Sequence, residues 1–285
     1  MRATRLALAV LFLAAAPSFA DGVFTELYSI GPDSDLFFPV PRTFNSISTG
    51  GVTTPLFDLG DRSLGFTGGL AFNPDNNLFY AIANDSSGNS SLVSFSRSGG
   101  GYVPIGSLGA GFFSGLAYNT LDHSLYGISS GSELNRIGIG GAVTPLGSLG
   151  AGYFGGLTYR SADGLLYAFS ADDWGTQRVF HSIAPDASAV TELFSLGDGT
   201  VSFNGGVAFN EQDGLFYAIA NDGLGDSSLQ RFTPAGALAL VADMPDGFVN
   251  VGLAAVPAVP EPSSALPLAG CLIAWALVRF RPRAR

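Results

Sequence analysis

The chain of 285 residues carries two His, one Cys and no Lys, a thin supply of groups for covalent or metal chemistry. His123 and His181 stand far apart in sequence. Neither has a neighbouring imidazole with which to hold a metal or build a Ser–His–Asp relay. Cys271 alone can form no internal disulfide and no thiolate zinc site. The serines include no Gly-x-Ser-x-Gly nucleophile signature, and no glycine-rich stretch ends in Gly-Lys.

Carboxylates offer more. Three loops of similar make recur: Asn84-Asp85-Ser86-Ser87-Gly88-Asn89, Ala171-Asp172-Asp173-Trp174-Gly175 and Asn221-Asp222-Gly223-Leu224-Gly225-Asp226. Asp85, Asp172, Asp173, Asp222 and Asp226 are candidate contacts for a polar ligand or for Ca2+, which takes carboxylate and carbonyl oxygens. None of the loops has EF-hand spacing, and Asp, Asn and Gly at loop tips also make Asx turns. Trp174 is the loop aromatic placed to stack on a carbohydrate. His123 falls in an Asp-His pair expected to be a turn. His181 falls in a strand-like alternation, expected lateral or at the surface.

The elements that carry these residues repeat. Residues 66–95 align without a gap on residues 203–232, a shift of 137 that superposes Leu78-Phe79-Tyr80-Ala81-Ile82-Ala83-Asn84-Asp85 on Leu215-Phe216-Tyr217-Ala218-Ile219-Ala220-Asn221-Asp222. Weaker copies begin at Gly115 and Gly156, and a fifth anchor at Gly252. Units of about 40–50 residues with several short strands are the mark of propeller blades. Each unit reads as four strands. The first two are joined by Asn76-Asn77, Asp122-His123, Asp163-Gly164 or Asp213-Gly214, pairs that tolerate the positive φ of tight hairpins. With 39 Gly and 16 Pro, the composition fits an all-β chain rich in turns.

Residues 45–60 align on residues 135–150, which makes them the outer strands of a unit lacking its inner strand. Residues 251–256, at the far end, supply one. The expectation is a five-bladed β-propeller of four-stranded blades over residues 21–256, with N- and C-terminal strands sharing one blade so that both free edges are covered, an open or a six- to seven-bladed form being the alternative. The blade-equivalent aromatics Phe72, Tyr80, Tyr118, Tyr126, Tyr159, Tyr167, Phe209 and Tyr217 are expected to pack between blades.

The two ends read as addresses. Residues 1–20 have a basic start (Arg2, Arg5), an apolar run and Ser18-Phe19-Ala20, as a signal peptide cut by signal peptidase between Ala20 and Asp21 would. Residues 257–264 are a linker holding Pro260, Glu261 and Pro262. Residues 265–278 are apolar, about 21 Å long as a helix, and Arg279, Arg281, Arg283 and Arg285 follow. The Arg cluster should stay cytoplasmic, which puts the main domain across the membrane. This order of motif, short transmembrane helix and Arg tail resembles the PEP-CTERM sorting signal of Gram-negative bacteria. The resemblance covers residues 259–285. It implies export across the inner membrane, transient anchoring through residues 265–285, and recognition by an exosortase-type membrane protease. It also implies a destination at the cell surface or in an extracellular, polysaccharide-rich matrix.

Charge agrees with such a division. Residues 21–260 hold 22 acidic residues against 7 Arg, a net charge of −15. A domain this acidic repels nucleic acid and anionic lipid. The sequence therefore points to an exported binding or structural protein with no catalytic residues assigned, no cofactor beyond an optional Ca2+, and exopolysaccharide as a candidate partner. A propeller hydrolase or lyase acting on polysaccharide is the competing expectation. It would need carboxylates gathered near the inner-strand ends.

Overall fold

A computed structural model of the chain describes residues 26–32, 41–60, 63–150, 152 and 154–257. The expectations for residues 1–20, and for the Pro260-Glu261-Pro262 motif, sorting helix and Arg tail within residues 258–285, lie outside the described residues. Among the described residues no helix is long and apolar enough to cross a membrane.

The described residues form five antiparallel sheets, each a blade. Blade 1 runs outward from Leu253–Val256 through Glu26–Pro32 and Pro41–Ser48 to Thr53–Asp58. Blade 3 runs Phe113–Asn119, Ser124–Ser129, Glu133–Ile137, Val143–Ser148. Blade 4 runs Phe154–Arg160, Leu165–Ala171, Gln177–Ile183, Val190–Ser195. In blades 2 and 5 the innermost strand comes in two pieces, Leu64–Gly65 with Leu70–Asn73 and Val201–Ser202 with Val207–Asn210. Their outer strands are Leu78–Asp85, Asn89–Phe95 and Val103–Ala110 in blade 2, and Leu215–Asp222, Ser227–Phe232 and Leu238–Met244 in blade 5. The break falls at Gly68-Gly69 and Gly205-Gly206, which the sequence reads as continuous strand. A Cβ on Gly68 or Gly205 would stand 2.6 or 2.5 Å from Cβ of Ile82 or Ile219, so only glycine lets the strand cross there.

The ring closes as the sequence indicates. Leu253–Val256 pairs antiparallel with the first strand from Leu253↔Ser29 to Val256↔Glu26, and the buried Ser29 hydroxyl donates to the Gly252 carbonyl at 2.7 Å. The five anchor glycines touch in cyclic order. A Cβ on Gly69 would meet the Leu116 nitrogen at 2.5 Å, and one on Gly115 would meet Leu157 at 2.8 Å. One on Gly156 would meet the Val207 nitrogen at 3.1 Å, one on Gly206 the Leu253 nitrogen at 2.6 Å, and one on Gly252 the Leu70 nitrogen at 2.0 Å. Each inner strand is thus pressed against the next one's backbone. The space enclosed by this ring has no room for a water molecule, so the axis is sealed at that level.

Five buried clusters fill the five seams between blades. Two of them are nearly the same aromatic lattice. Between blades 1 and 2, Phe79 and Phe95 stack at 5.7 Å while Phe44 meets Phe79 edge-on at 4.8 Å. Between blades 4 and 5, Phe216 and Phe232 stack at 5.2 Å while Phe180 meets Phe216 edge-on at 5.0 Å. Tyr28 and Tyr167 complete the two sets at 5.0 Å from Phe79 and Phe216. The internal repeat therefore extends beyond residues 66–95 to a pair of blades, 1–2 and 4–5.

The inner hairpins use the turn chemistry expected of them. Asn77 and His123 have φ of 58° and 57°, and Gly164 and Gly214 of 72° and 70°. The preceding Asn or Asp accepts a backbone N–H two residues on, at 2.9–3.2 Å, as an Asx turn. Its second oxygen does something the sequence did not announce. Asp122, Asp163 and Asp213 accept the hydroxyls of Tyr126, Tyr167 and Tyr217 at 2.5, 2.6 and 2.8 Å. Burial first, and then these carboxylates, push the Tyr167 and Tyr217 hydroxyls up to about 12. The unfolded chain loses these protons near pH 10. A raised folded value means the stabilisation is complete below pH 10 and is lost as pH rises through about 12. Stability is expected to be flat from neutral pH to about 9 and to fall steeply above 10. Tyrosinate absorbance should rise together with loss of the β circular dichroism signal. Free titration of these tyrosines near pH 10 in the folded protein would contradict the clasp.

Candidate functional site

The inner strands of the five blades run side by side from the glycine ring toward the inner hairpins, and they enclose a cavity of about 190 Å3 on the axis. Successive residues along each strand make successive tiers. Above the glycines come Leu70, Leu116, Leu157 and Leu253, and the walls are Ala71, Ala117, Thr158 and Ala254. The mouth is Phe72, Tyr118, Tyr159 and Phe209, with Ala255 in the fifth place. Pro74, Thr120, Ser161, Glu211 and Pro257 form the rim. The floor is apolar, the mouth aromatic and the rim polar. The aromatics grouped together by sequence thus separate into two rows. Those on the inner strands surround the cavity, and Tyr80, Tyr126, Tyr167 and Tyr217 on the second strands are seam residues.

One side of the mouth holds a cluster that sequence reasoning missed. Tyr118 Oη donates to Asp75 Oδ2 at 2.5 Å, and His123 Nδ1 lies 2.6 Å from the same oxygen. His123 is a turn residue as expected, but its ring is also paired, across the seam between blades 2 and 3. The Tyr118 and His123 bonds hold the Asp75 carboxyl below its usual range, while burial and this carboxylate raise the Tyr118 hydroxyl. Comparing hairpins would have found the cluster. The third hairpin position is Asp75, Leu121, Ala162 and Gln212 in blades 2 to 5, and the turn position is Asn77, His123, Gly164 and Gly214. Only the seam between blades 2 and 3 combines a carboxylate, an imidazole and a tyrosine there.

Across the mouth, Glu211 accepts the Ser161 N–H at 2.9 Å, and the Arg160 guanidinium lies 5.3 Å over the Phe209 ring. Tyr159 is 9% exposed, and its hydroxyl is buried without a hydrogen-bond partner. Burial and then the charges of Asp122, Asp163 and Glu211 raise that hydroxyl, so it stays a donor.

The loops singled out from sequence lie at the other end of the blades, since they join the second and third strands. Their leading carboxylates are occupied by their own loops. Asp85 accepts the N–H groups of Ser87 and Asn89 at 2.8 and 2.9 Å and the Asn89 amide at 2.9 Å. Asp172 accepts Trp174 and Thr176 N–H at 2.9 Å and the Arg178 guanidinium at 2.7 Å. Asp222 accepts Leu224 and Asp226 N–H at 2.8 and 3.0 Å. The Asn89 side chain chiefly lowers the Asp85 carboxyl and Arg178 that of Asp172. These are Asx turns. Among the described residues no three of His, Cys, Asp and Glu gather as a metal ligand set. Asp173 and Asp226 are exposed, and Trp174 stands 91% exposed at its loop tip. His181 lies on the third strand of blade 4, in keeping with the lateral reading. It is half-buried with Nε2 2.8 Å from the Ser170 hydroxyl, and burial lowers its pKa.

No family model and no curated protein matches the sequence. Solved structures do resemble it. A nidogen/laminin complex matches with a TM-score of 0.55 at 13% identity, covering 82% of this chain and 98% of that one. An engineered GH43 glycoside hydrolase with endo-xylanase and exo-arabinofuranosidase activity matches with a TM-score of 0.51 at 14% identity. It covers 73% of this chain and 49% of that one, so this chain spans about half its length. A streptogramin B lyase matches with a TM-score of 0.45 at 13% identity, covering 78% and 74%. Identities this low show the fold alone.

Proposed function

We propose that the protein is an exported binding module, displayed at the cell surface or released into the extracellular matrix, which engages its partner through the axial cavity. Its acidity and its two terminal address segments support the destination. The reading of residues 259–285 as a PEP-CTERM signal, processed by an exosortase-type protease, is part of the proposal. The observation that carries binding over catalysis is the state of the carboxylates at the cavity. Asp75 and Glu211 already accept bonds from Tyr118, His123 and Ser161. The Asp75 carboxyl, held low by Tyr118 and His123, is a poor general acid. The partner best matched to an aromatic mouth and a rim carrying Thr120, Ser161 and Glu211 is polysaccharide, and a neutral one given the net charge of −15 over residues 21–260.

The protein should be retained by neutral exopolysaccharide without shortening it. Size-exclusion chromatography of the polymer, before and after incubation, reads both at once. Depolymerisation would favour the second reading, a propeller hydrolase or lyase. The observation in favour of that reading is the His123–Asp75 pair, whose imidazole is 66% exposed on the side chain. His123→Ala would then abolish turnover.

Sorting has its own test. Replacing Pro260, Glu261 and Pro262 together by Ala is expected to leave uncleaved precursor in the inner membrane. Fractionation with an antibody to the propeller checks this, and normal processing would count against the signal.

A further inference from the structure

The seam between blades 3 and 4 is a copy of the Asp75–Tyr118–His123 seam with its polar partners removed. Tyr159 stands where Tyr118 does, but Leu121 replaces Asp75 and Gly164 replaces His123. The spatial match is direct. A Cβ placed on Gly164 would lie 3.8 Å from Leu121 Cδ1 and 4.0 Å from the Tyr159 hydroxyl. The same seam packs without a phenol elsewhere, since Phe72 and Phe209 hold the equivalent places in blades 2 and 5. The fold therefore does not require the Tyr159 oxygen. A buried hydroxyl without a partner costs about 1–3 kcal/mol, and the side chain that carries this one lines the axial cavity.

We propose that Tyr159 is the recognition hydroxyl of the axial cavity, donating to one uncharged sugar residue inserted from the mouth. The inference rests on the binding reading given above and names its ligand. At about 190 Å3 the cavity is smaller than the roughly 300 Å3 that holds drug-sized ligands, a size suited to a single monosaccharide unit. A sugar hydroxyl accepts from Tyr159 and donates onward to Glu211, while the apolar ring face lies on the leucine floor. Anions are disfavoured, because Asp122, Asp163 and Glu211 already bear on the Tyr159 hydroxyl. A quaternary ammonium ion has no oxygen to accept the Tyr159 proton.

The test uses the full chain in polyoxyethylene alkyl ether micelles, which carry no sugar headgroup. Saturation-transfer NMR and calorimetry are run with glucose, galactose, N-acetylglucosamine, glucuronate and tetramethylammonium. At least one neutral sugar should bind, and glucuronate and tetramethylammonium should not. Tyr159→Phe should weaken that sugar about tenfold, the value of one hydrogen bond, without loss of thermal stability. The double variant Leu121→Asp with Gly164→His rebuilds the polar seam and gives Tyr159 an internal acceptor. It should abolish binding while Tyr159 remains in place. The proposal falls if Tyr159→Phe binds the sugar unchanged, or if tetramethylammonium or glucuronate binds instead. It also falls if the protein adsorbs to polysaccharide, no monosaccharide competes and Tyr159→Phe adsorbs normally. In that last case the binding reading stands and only the cavity assignment is lost. Failure to adsorb at all would remove both.

Discussion

Gly252→Ala is expected to destabilise the propeller by about 3 kcal/mol or more, at the upper end of what overpacking costs. For a domain of this size that lowers Tm by roughly 6–12 °C. The new methyl would sit 2.0 Å from the Leu70 nitrogen and 2.5 Å from the Gly69 carbonyl carbon. Both are backbone atoms, so no side chain can turn aside. Movement of Gly252 also strains the closing ladder, because the next residue, Leu253, pairs with Ser29. The same movement shifts Leu253, Ala254, Ala255 and Pro257 in the cavity wall, and ligand affinity should fall with stability. Gly140→Ala and Gly223→Ala are the controls. A Cβ there meets nothing within 4 Å, and a change within about 0.5 kcal/mol is expected. Differential scanning calorimetry compares the three. A Gly252→Ala protein that melts with the controls would refute the tight ring.

The ring was legible in the sequence because its cause is local and repeated. A glycine needed for close approach recurs once per blade, and five such glycines mark five inner strands before any contact is known. The hairpin pairs and the strand shared between the chain ends were legible for the same reason. The cavity was not. Tyr118 and His123 reach Asp75 from 43 and 48 positions away, in a neighbouring blade. No spacing rule within one blade reveals such a contact. What would have revealed it is subtraction, comparing each hairpin position across blades and asking which copy departs. Attention to the acidic loops had the opposite fault. Asp85, Asp172 and Asp222 recur because every one of those loops needs an Asx acceptor, and recurrence across blades is the signature of a structural demand. Within a repeat, the departures carry the function and the recurrences carry the fold.

The aromatic lattices turn that distinction into a measurement. Phe79→Ala and Phe216→Ala should each destabilise by about 3–5 kcal/mol, the usual cost of emptying a buried phenylalanine site. Both rings are fully buried. Each has a stacked partner at 5.7 or 5.2 Å and an edge-on partner at 4.8 or 5.0 Å. Because the surroundings are copies, the two losses should agree within about 1 kcal/mol. The lattices occupy different seams and share no residue. The double variant should therefore lose the sum of the single losses within about 0.5 kcal/mol. Phe216→Ala combined with Phe232→Ala should behave differently. These rings stack with an interplanar angle of 12°, so the first truncation already weakens what the second removes. Their combined loss should fall short of the sum by about 0.5–1.5 kcal/mol, the coupling of a direct aromatic pair. Denaturant titrations with a common m-value supply all five numbers. Strong coupling between Phe79 and Phe216 would mean that the two seams do not respond as separate units, and the description of paired blades as independent copies would have to be abandoned.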